Sequence, residues 1–484
     1  MKISDNHKDQ ILIAIGAIFA NLISAFNDFH NDDWMVLKTL RDGFSWEVFL
    51  SMETLRYFRP LTNIIVYLRY LAFGALPLGY HIVNILLHAA VCILLYQLLL
   101  KMKFPRVAAI ISSLFFAVYF QHYEAVIWIY GIIRILGAIF WLLSLITLYN
   151  YIDNGRRKAL AIFAVVFFLG LFVCEDFIVA PIEFVVFIIL MADKAVLWKR
   201  LLPVIICSSA GLAIYLVLRF SLIQYSPISQ DLYFAGPHVF QKLIEYLSWM
   251  VIPSPDHEYF KSFAIGLGPW IYWTWKAAAW LSAVIMILGL IYLLAKFPKA
   301  IKFFVIFILL TLLPAVPFTF KISSRYIYIP SIGLAAIAGY LFCLLLEKLS
   351  SRNRLRGIFV GIFVLFLIIH VAATAITSLE FHKTERMVRG MIADVKDSGI
   401  DLPRYQFVLL DDLPGRAAPG QVLWYYFGFN IIIASNDAAN GPTDIAKAAT
   451  DLYSQGKSFV VFDYQNGHLK EATQKYVTPI HDIQ

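Results

Sequence analysis

Asn27-Asp28-Phe29-His30-Asn31-Asp32-Asp33-Trp34 follows directly on the first long apolar run, Ile11–Phe26. Three carboxylates, a histidine and two amides crowd together where an apolar helix would reach water. Carboxylates are costly inside a bilayer, so acids gathered at the mouth of an intramembrane cavity are usually functional. The octapeptide taken alone also reads as a solvated helix end whose acids merely interrupt the apolar run. Either way it marks the end of a first membrane span, and the rest of the chain reads as scaffolding around it.

Composition agrees with a membrane setting. Of 484 residues, 60% are hydrophobic and 15% charged, against about 45–50% and 25% in soluble domains. Mean hydropathy is +0.73. The chain is a polytopic membrane protein, with lipid as its surroundings. Ile11–Phe26 has the length of a signal peptide, but Met1-Lys2-Ile3-Ser4-Asp5 is weakly basic and no small-x-small site precedes the acids. A retained first span is expected. The formal charge of +8 is dispersed over short loops rather than one patch, which argues against nucleic acid as a partner. Cys92, Cys174, Cys207 and Cys343 stand singly in apolar runs, without metal or redox spacing, and read as packing residues.

A span needs roughly 20 apolar residues. That rule predicts an all-α bundle of about eleven spans, near 10–27, 79–100, 106–121, 132–152, 158–174, 177–192, 201–222, 271–295, 300–316, 326–347 and 356–378. Alternate connections carry Lys101, Lys103 and Arg106, then Arg156–Lys158, then Lys194, Lys199 and Arg200. The series continues with Lys296, Lys299 and Lys302 and ends with Lys348, Arg352, Arg354 and Arg356. The positive-inside rule turns these loops to the cytoplasm and the acidic cluster outward.

The membrane domain is expected over 1–378. Within its first outer segment, 28–78, Val36–Arg41 and Trp46–Tyr57 read as amphipathic helices for the membrane surface. The second long outer segment, 223–270, is punctuated by prolines and glycines around a helical run, Val239–Met250, and reads equally as a lid or a surface cap. From 379 to 484 the pattern turns to that of a small extracytoplasmic α/β domain. Leu379–Lys396 and Asp444–Leu452 read as helices; Gln406–Leu410, Asn430–Ser435 and Phe459–Tyr464 read as strands. Asp411-Asp412 ends a strand, as a turn or as a place for a metal or sugar.

Further polar clusters gather on the predicted outer side. They are Arg59-Pro60-Leu61-Thr62-Asn63, the helix face of His81, Asn84 and His88, His122-Tyr123-Glu124 with Arg134, and Glu175-Asp176 followed by Pro181 and Glu183. Arg219, Lys321, Arg325 and Tyr326 join them. Each has a plainer role: the histidine face as interhelical hydrogen bonding, the arginines as snorkelling anchors, the glutamates as caps. No histidine pair has zinc spacing. Together they suit group transfer from a lipid-linked phosphate. A carboxylate takes the proton of an acceptor hydroxyl, and arginine and lysine hold the departing phosphate. Gly-x-x-x-x-Gly-Lys is absent, so an already activated lipid donor fits better than a nucleotide.

These residues resemble the GT-C superfamily of membrane glycosyltransferases, which use polyprenyl-phosphate sugars and keep an acidic motif in the first outer loop. The pattern is most similar to the transmembrane-and-tetratricopeptide-repeat O-mannosyltransferases and their bacterial relatives. Asp32-Asp33 stands at the acidic pair, Phe58-Arg59-Pro60-Leu61-Thr62 resembles "YRPL", and Tyr80-His81-x-x-Asn84-x-x-x-His88 resembles "FHLxNxxxH". His122-x-Glu124-Ala125-Val126 resembles "HxEAV" with its following arginine, Arg134, and Arg325–Ser331 resembles "RYLYLPS". The match runs over roughly 25–335. Two departures stand out: Cys174-Glu175-Asp176 replaces Lys-Glu, and the α/β tail takes the place of the tetratricopeptide array.

The resemblance implies an inverting transferase moving a hexosyl or pentosyl group from a polyprenyl-phosphate-linked donor to a lipid, glycan or protein acceptor outside the membrane. It implies Asp32 as general base with Asp33 in support, and Glu124 and Glu175 orienting acceptor or base. Arg59, Arg134, Arg219, Lys321 and Arg325 would hold the phosphate. His81, Asn84, His88, His122, Asp176 and Tyr326 would support them. Some relatives use a divalent cation, magnesium or manganese, and others none; no metal ligand is assigned here. The scarcity of paired cysteines favours a prokaryotic cytoplasmic membrane, with the site facing the periplasm or exterior. A transporter or flippase of the lipid-linked sugar and a non-catalytic receptor or scaffold are the alternatives from other classes.

Overall fold

The computed structural model describes residues 5–30, 32–41, 43, 45–50, 57–223, 233–234, 236–253, 255, 264–319, 323–413, 425–426, 432–434 and 444–481. Lys321 and much of the 223–270 segment lie outside the described residues, as does the side chain of Asp32. Contacts divide the chain into two compact units. One comprises Met1–Ala25, Ser45–Gly74 and Gly79–Ile376; the other comprises Phe26–Phe44, Ala75–Leu78 and Thr377–Gln484.

The first unit is helical. Each expected span coincides with a helix, but among the described residues seven helices are long and apolar enough to cross a membrane: Asn6–Phe26, Pro77–Lys101, Ile129–Asn154, Leu197–Leu222, Pro269–Lys296, Pro330–Lys348 and Asn353–Asp397. The other four places hold the shorter helices Arg106–Val118, Arg157–Leu171, Ala180–Met191 and Lys299–Leu312. At 12–15 residues these fall short of the roughly 20 that a full crossing takes. Arg106–Val118 and Ala180–Met191 adjoin short 3₁₀ segments, Phe120–His122 and Glu175–Val179, in the turns that carry candidate residues. Pro60–Phe73 is a further helix inside the expected outer segment, with proline in its first turn, where the missing N–H costs nothing.

Between membrane helices the hydrophobic effect adds little, so close backbone approach over small residues does the packing. Ala108 and Ser112 of the Arg106–Val118 helix meet Gly339 of Pro330–Lys348: a Cβ at Gly339 would stand 2.6 Å from the Ala108 carbonyl oxygen and 2.1 Å from Ser112 Oγ. Gly333 of the same helix lies equally tight, 2.7 Å from the Phe304 carbonyl oxygen.

The second unit holds one of the two amphipathic helices expected within 28–78, which fall at Asp32–Arg41 and Trp46–Leu50; residues 51–56 lie outside the described residues. Of these two, Asp32–Arg41 belongs to this unit and Trp46–Leu50 to the bundle. The helix expected at Leu379–Lys396 is no separate element: Asn353–Asp397 runs unbroken for 45 residues, about 67 Å at 1.5 Å per residue. That is twice the apolar thickness of a bilayer. Its polar second half begins at Glu380, where the composition changes to charged residues.

The tail forms a four-stranded sheet, ordered β2-β1-β3-β4. β1 (Phe407–Asp411) pairs in parallel with β2 (Ile432–Ala434) and with β3 (Phe459–Gln465), and β3 pairs antiparallel with β4 (His468–Glu471). Ile445–Ser454 is the crossover helix from β2 to β3, capped by the Asp444 carboxylate accepting from Lys447 N at 3.0 Å. Asn466 and Gly467, both at positive φ, turn β3 into β4.

Gly339→Leu is expected to lower the thermal unfolding midpoint in detergent, through an overpacking cost of about 1–3 kcal/mol. Gly361→Leu, where nothing lies within 4 Å, should leave it unchanged. Equal midpoints for the two variants would contradict this packing.

Candidate functional site

Within the bundle, backbone pairing brings the first candidates together. Leu61 N donates to Phe172 O at 3.1 Å, and Thr62 Oγ1 donates to Val173 O at 2.8 Å. The start of Pro60–Phe73 is thereby fastened beside the residues that lead into Glu175–Val179. Arg59, buried at the helix N-terminus, donates through Nε and Nη2 to the two Glu175 carboxylate oxygens. Its guanidinium also lies over the Tyr57 ring, 4.2 Å from the centroid. This is the fork-to-fork geometry that makes arginine the preferred partner of carboxylates.

One residue on, Asp176 accepts from Arg134 Nη1. Arg134 reaches it from the first turn of the Ile132–Asn154 helix, and two glycines permit the approach. A Cβ at Gly131 would stand 2.3 Å from Ala125 O, and one at Gly137 would press on Cys174 Cβ at 3.3 Å. Burial alone pushes the Glu175 carboxyl up, but the Arg59 guanidinium outweighs it and holds the acid below its ordinary range. Burial pushes Asp176 up, with Arg134 opposing and the Glu175 charge adding to the rise.

The Arg134 guanidinium lies over the Tyr326 ring, 4.4 Å from the centroid. Arg325 lies over the same ring at 5.5 Å and over Trp128 at 4.9 Å. Buried Glu124 holds that turn from the other side, accepting from Ser323 Oγ and, at 3.1 Å, from Arg325 N. Seven expected residues thus form one connected set: Arg59, Glu175, Asp176, Arg134, Tyr326, Arg325 and Glu124. Chemically it presents three guanidiniums, two of them fixed by acids, beside aromatic faces. Arg219 lies in the last turn of Leu197–Leu222, one turn beyond Tyr215, whose hydroxyl donates to Phe58 O at 3.3 Å.

Four of the expected supporting residues, His81, Asn84, His88 and His122, are buried among the helices. His88 Nδ1 pairs with Tyr328 Oη at 2.7 Å and Nε2 with Ala117 O at 3.1 Å; His122 Nε2 pairs with Ser331 Oγ at 2.7 Å. Asn84 Nδ2 donates to Trp128 O at 2.9 Å. His81 is fully buried on the same helix. Sequence reasoning passed over Arg69, which donates to Tyr80 O at 2.8 Å and Asn84 Oδ1 at 3.1 Å. A lone arginine in an apolar helix was the available signal. It also passed over Ser323, which only the fold brings to Glu124.

In the second unit, Asp32 opens the Asp32–Arg41 helix, and buried Asp33 Oδ2 accepts from His30 N at 3.0 Å while Asp33 N donates to His30 O at 3.0 Å. Among the described residues no group of three or more His, Cys, Asp or Glu side chains is arranged to hold a metal ion. Both Glu175 oxygens accept from Arg59, and Asp176 Oδ2 accepts from Arg134.

No protein-family model matches the chain. A segment of 112 residues, 23% of the chain, is 33% identical to the human protein O-mannosyl-transferase TMTC3, of which it spans 12%. A segment of 118 residues, 24% of the chain, is 29% identical to the Drosophila melanogaster protein O-mannosyl-transferase Tmtc1, of which it spans 14%. The matched part is therefore a small fraction of these relatives' own length. Among solved structures, the oligosaccharyltransferase AglB from Archaeoglobus fulgidus, in complex with an inhibitory peptide and a dolichol-phosphate, superposes with a TM-score of 0.52 over 95% of this chain and 69% of that one, at 12% identity. At that identity the likeness is one of fold. Together these likenesses describe a polytopic helical membrane fold that carries a segment similar to part of the protein O-mannosyl-transferases.

Glu175→Ala leaves the buried Arg59 guanidinium without its acid and is expected to cost about 2–3 kcal/mol, less than a fully buried pair because Glu175 is partly exposed. Glu175→Gln, which keeps acceptor oxygen, should cost less. Thermal unfolding in detergent measures both; equal midpoints for wild type and Glu175→Ala would contradict the pair.

Proposed function

We propose that this protein is an inverting glycosyltransferase that takes one sugar from a polyprenyl-phosphate donor and passes it to an acceptor hydroxyl on the extracytoplasmic side. The observation that carries the reading is the connected set of guanidiniums around Glu175-Asp176 and Tyr326, in a chain that shares sequence with O-mannosyl-transferases. A lipid phosphate leaving group needs such cations, and aromatic faces beside them suit a sugar ring.

In the proposed step the acceptor oxygen attacks the anomeric carbon as the bond from that carbon to the phosphate oxygen breaks. Polyprenyl phosphate leaves with the electron pair, and the acceptor proton passes to a carboxylate. Asp32 is the proposed base and Asp33 supports it; the Asp33 bonds to His30 suit a residue that shapes the loop. Arg59, Arg134, Arg325, Arg219 and Lys321 are the proposed phosphate holders, with Glu124 and Glu175 fixing the arginines and the bound acceptor. The fold neighbour AglB was solved with a dolichol-phosphate, which agrees in kind with a lipid-phosphate donor here. No step requires a divalent cation. The positive-inside pattern supports a site facing outward, and the scarcity of paired cysteines supports a prokaryotic cytoplasmic membrane. Residues 1–378 are proposed as the transferase domain and 379–484 as its extracytoplasmic α/β partner.

The test is a panel of radiolabelled polyprenyl-phosphate sugars on purified protein, comparing wild type with Asp32→Asn for donor binding and for polyprenyl phosphate release with membrane extract. Release from one donor, lowered at least about a hundredfold in Asp32→Asn, is expected. Donor binding without release in any extract would instead indicate a flippase of the lipid-linked sugar, and a fully active Asp32→Asn would remove Asp32 as base.

A further inference from the structure

The acidic loop that opened the sequence is held by a face of the long helix. Ser378, Phe381, Glu385 and Arg389 recur at helical spacing in Asn353–Asp397 and therefore share one side. Each meets the loop. Ser378 Oγ donates to Asn27 Oδ1 at 3.2 Å, and the Phe381 ring lies edge-on to His30 with centroids 4.8 Å apart. Glu385 Oε2 accepts from Asp28 N at 2.6 Å, and Arg389 Nε donates to Asp28 Oδ2. The loop's far end is anchored separately: Trp34 packs on Tyr425 and Tyr426, and Arg41 Nη1 donates to Tyr425 O at 2.8 Å.

Between the segment ending at Phe26 and the Asp32–Arg41 helix, the described loop has little regular structure of its own. A base on such a loop has to be placed within a few tenths of an ångström of the acceptor proton's path. We infer that Glu385 and Arg389 are positioning residues, which fix the acidic loop so that its helix-opening carboxylates meet the acceptor. This rests on the transferase reading above.

The charge arrangement gives the clamp a pH signature. Buried Asp28, Asp33 and Glu385 crowd together with Arg389 as the cation facing them. Burial pushes the Glu385 carboxyl up to about 8, with Asp28 and Asp33 adding to the rise and Arg389 and the Asp28 N–H bond opposing it. Folded protein therefore keeps a proton that the unfolded chain releases near the ordinary 4.5. The unfolded state binds fewer protons across that window, so stability falls as pH rises from about 4.5 through about 8. Above it, a third negative charge strains the loop.

The experiment uses full-length protein in detergent with the donor that the panel selects. Amide hydrogen exchange is followed over 27–34, and kcat and donor KM are measured against pH, in Arg389→Ala, Arg389→Lys, Glu385→Ala, Glu385→Gln and Asp32→Asn. Arg389→Ala and Glu385→Ala should speed exchange in the loop and lower kcat about tenfold or more, with donor KM within about twofold and partial recovery in Arg389→Lys. Glu385→Gln keeps the acceptor oxygen, so it should keep kcat at neutral pH and lose the alkaline fall near pH 8. Wild-type exchange and kcat in both alanine variants, beside an inactive Asp32→Asn, would overturn the positioning inference alone. A fully active Asp32→Asn would instead overturn the general-base reading, while the exchange arm still decides whether the helix holds the loop.

Discussion

A guanidinium taken out of water has to be met by an acid, and that requirement organises the bundle. Arg59 and Arg134 are both buried, at the starts of two different helices, and their acids are consecutive residues of a third element. Removing either acid would strand a charge at a cost of several kcal/mol. The turn at 175–176 therefore locks two helix N-termini in place, and the glycines at 131 and 137 are the steric condition for reaching it. The Tyr326 face, placed between the reach of Arg134 and Arg325, extends the same constraint to the turn that Glu124 holds.

The acidic loop obeys the opposite balance. In the bundle two acids meet two arginines; in the second unit Asp28, Asp33 and Glu385 face Arg389. With acids in excess and little water, the cheapest solution is to keep one carboxyl protonated, and Glu385, the most buried of the tail's acids near the loop, takes that part.

Much of this was legible beforehand, for identifiable reasons. Apolar runs and turn residues are local, so the helices and three of the four strands fell where hydropathy and β-branched runs put them. The motif segments converged because Arg59, Glu124, Arg134, Glu175 and Arg325 all stand at helix ends on one side. Span count was less legible, since four apolar helices of 12–15 residues lean on irregular turns that hydropathy reads through. β4 was missed although Asn466-Gly467 is a strong hairpin signal, because His468-Leu469-Lys470-Glu471 is too polar to announce a strand. One helix runs through the expected domain boundary at 378, because nothing between Ser378 and Glu380 stops a helix and only the polarity changes there. The partners of Asp28 lie more than 350 residues away, a distance no local pattern spans.

The residues that carry the family likeness divide into two kinds. His88, His122 and Asn84 are spent on Tyr328, Ser331 and backbone carbonyls, so their recurrence reports a shared scaffold as much as a shared chemistry. What distinguishes this chain is where the likeness stops. Cys174 stands where the resemblance would place a lysine; here its Sγ lies 3.5 Å from Arg134 Nη1. A lysine at that point would set a second cation against a buried guanidinium, and Asp176 would have to answer both. With a neutral thiol there, Asp176 answers Arg134 alone and Glu175 answers Arg59. Two arginine–carboxylate pairs fixed by geometry result, in place of a contest between a flexible ammonium and a planar guanidinium for one acid.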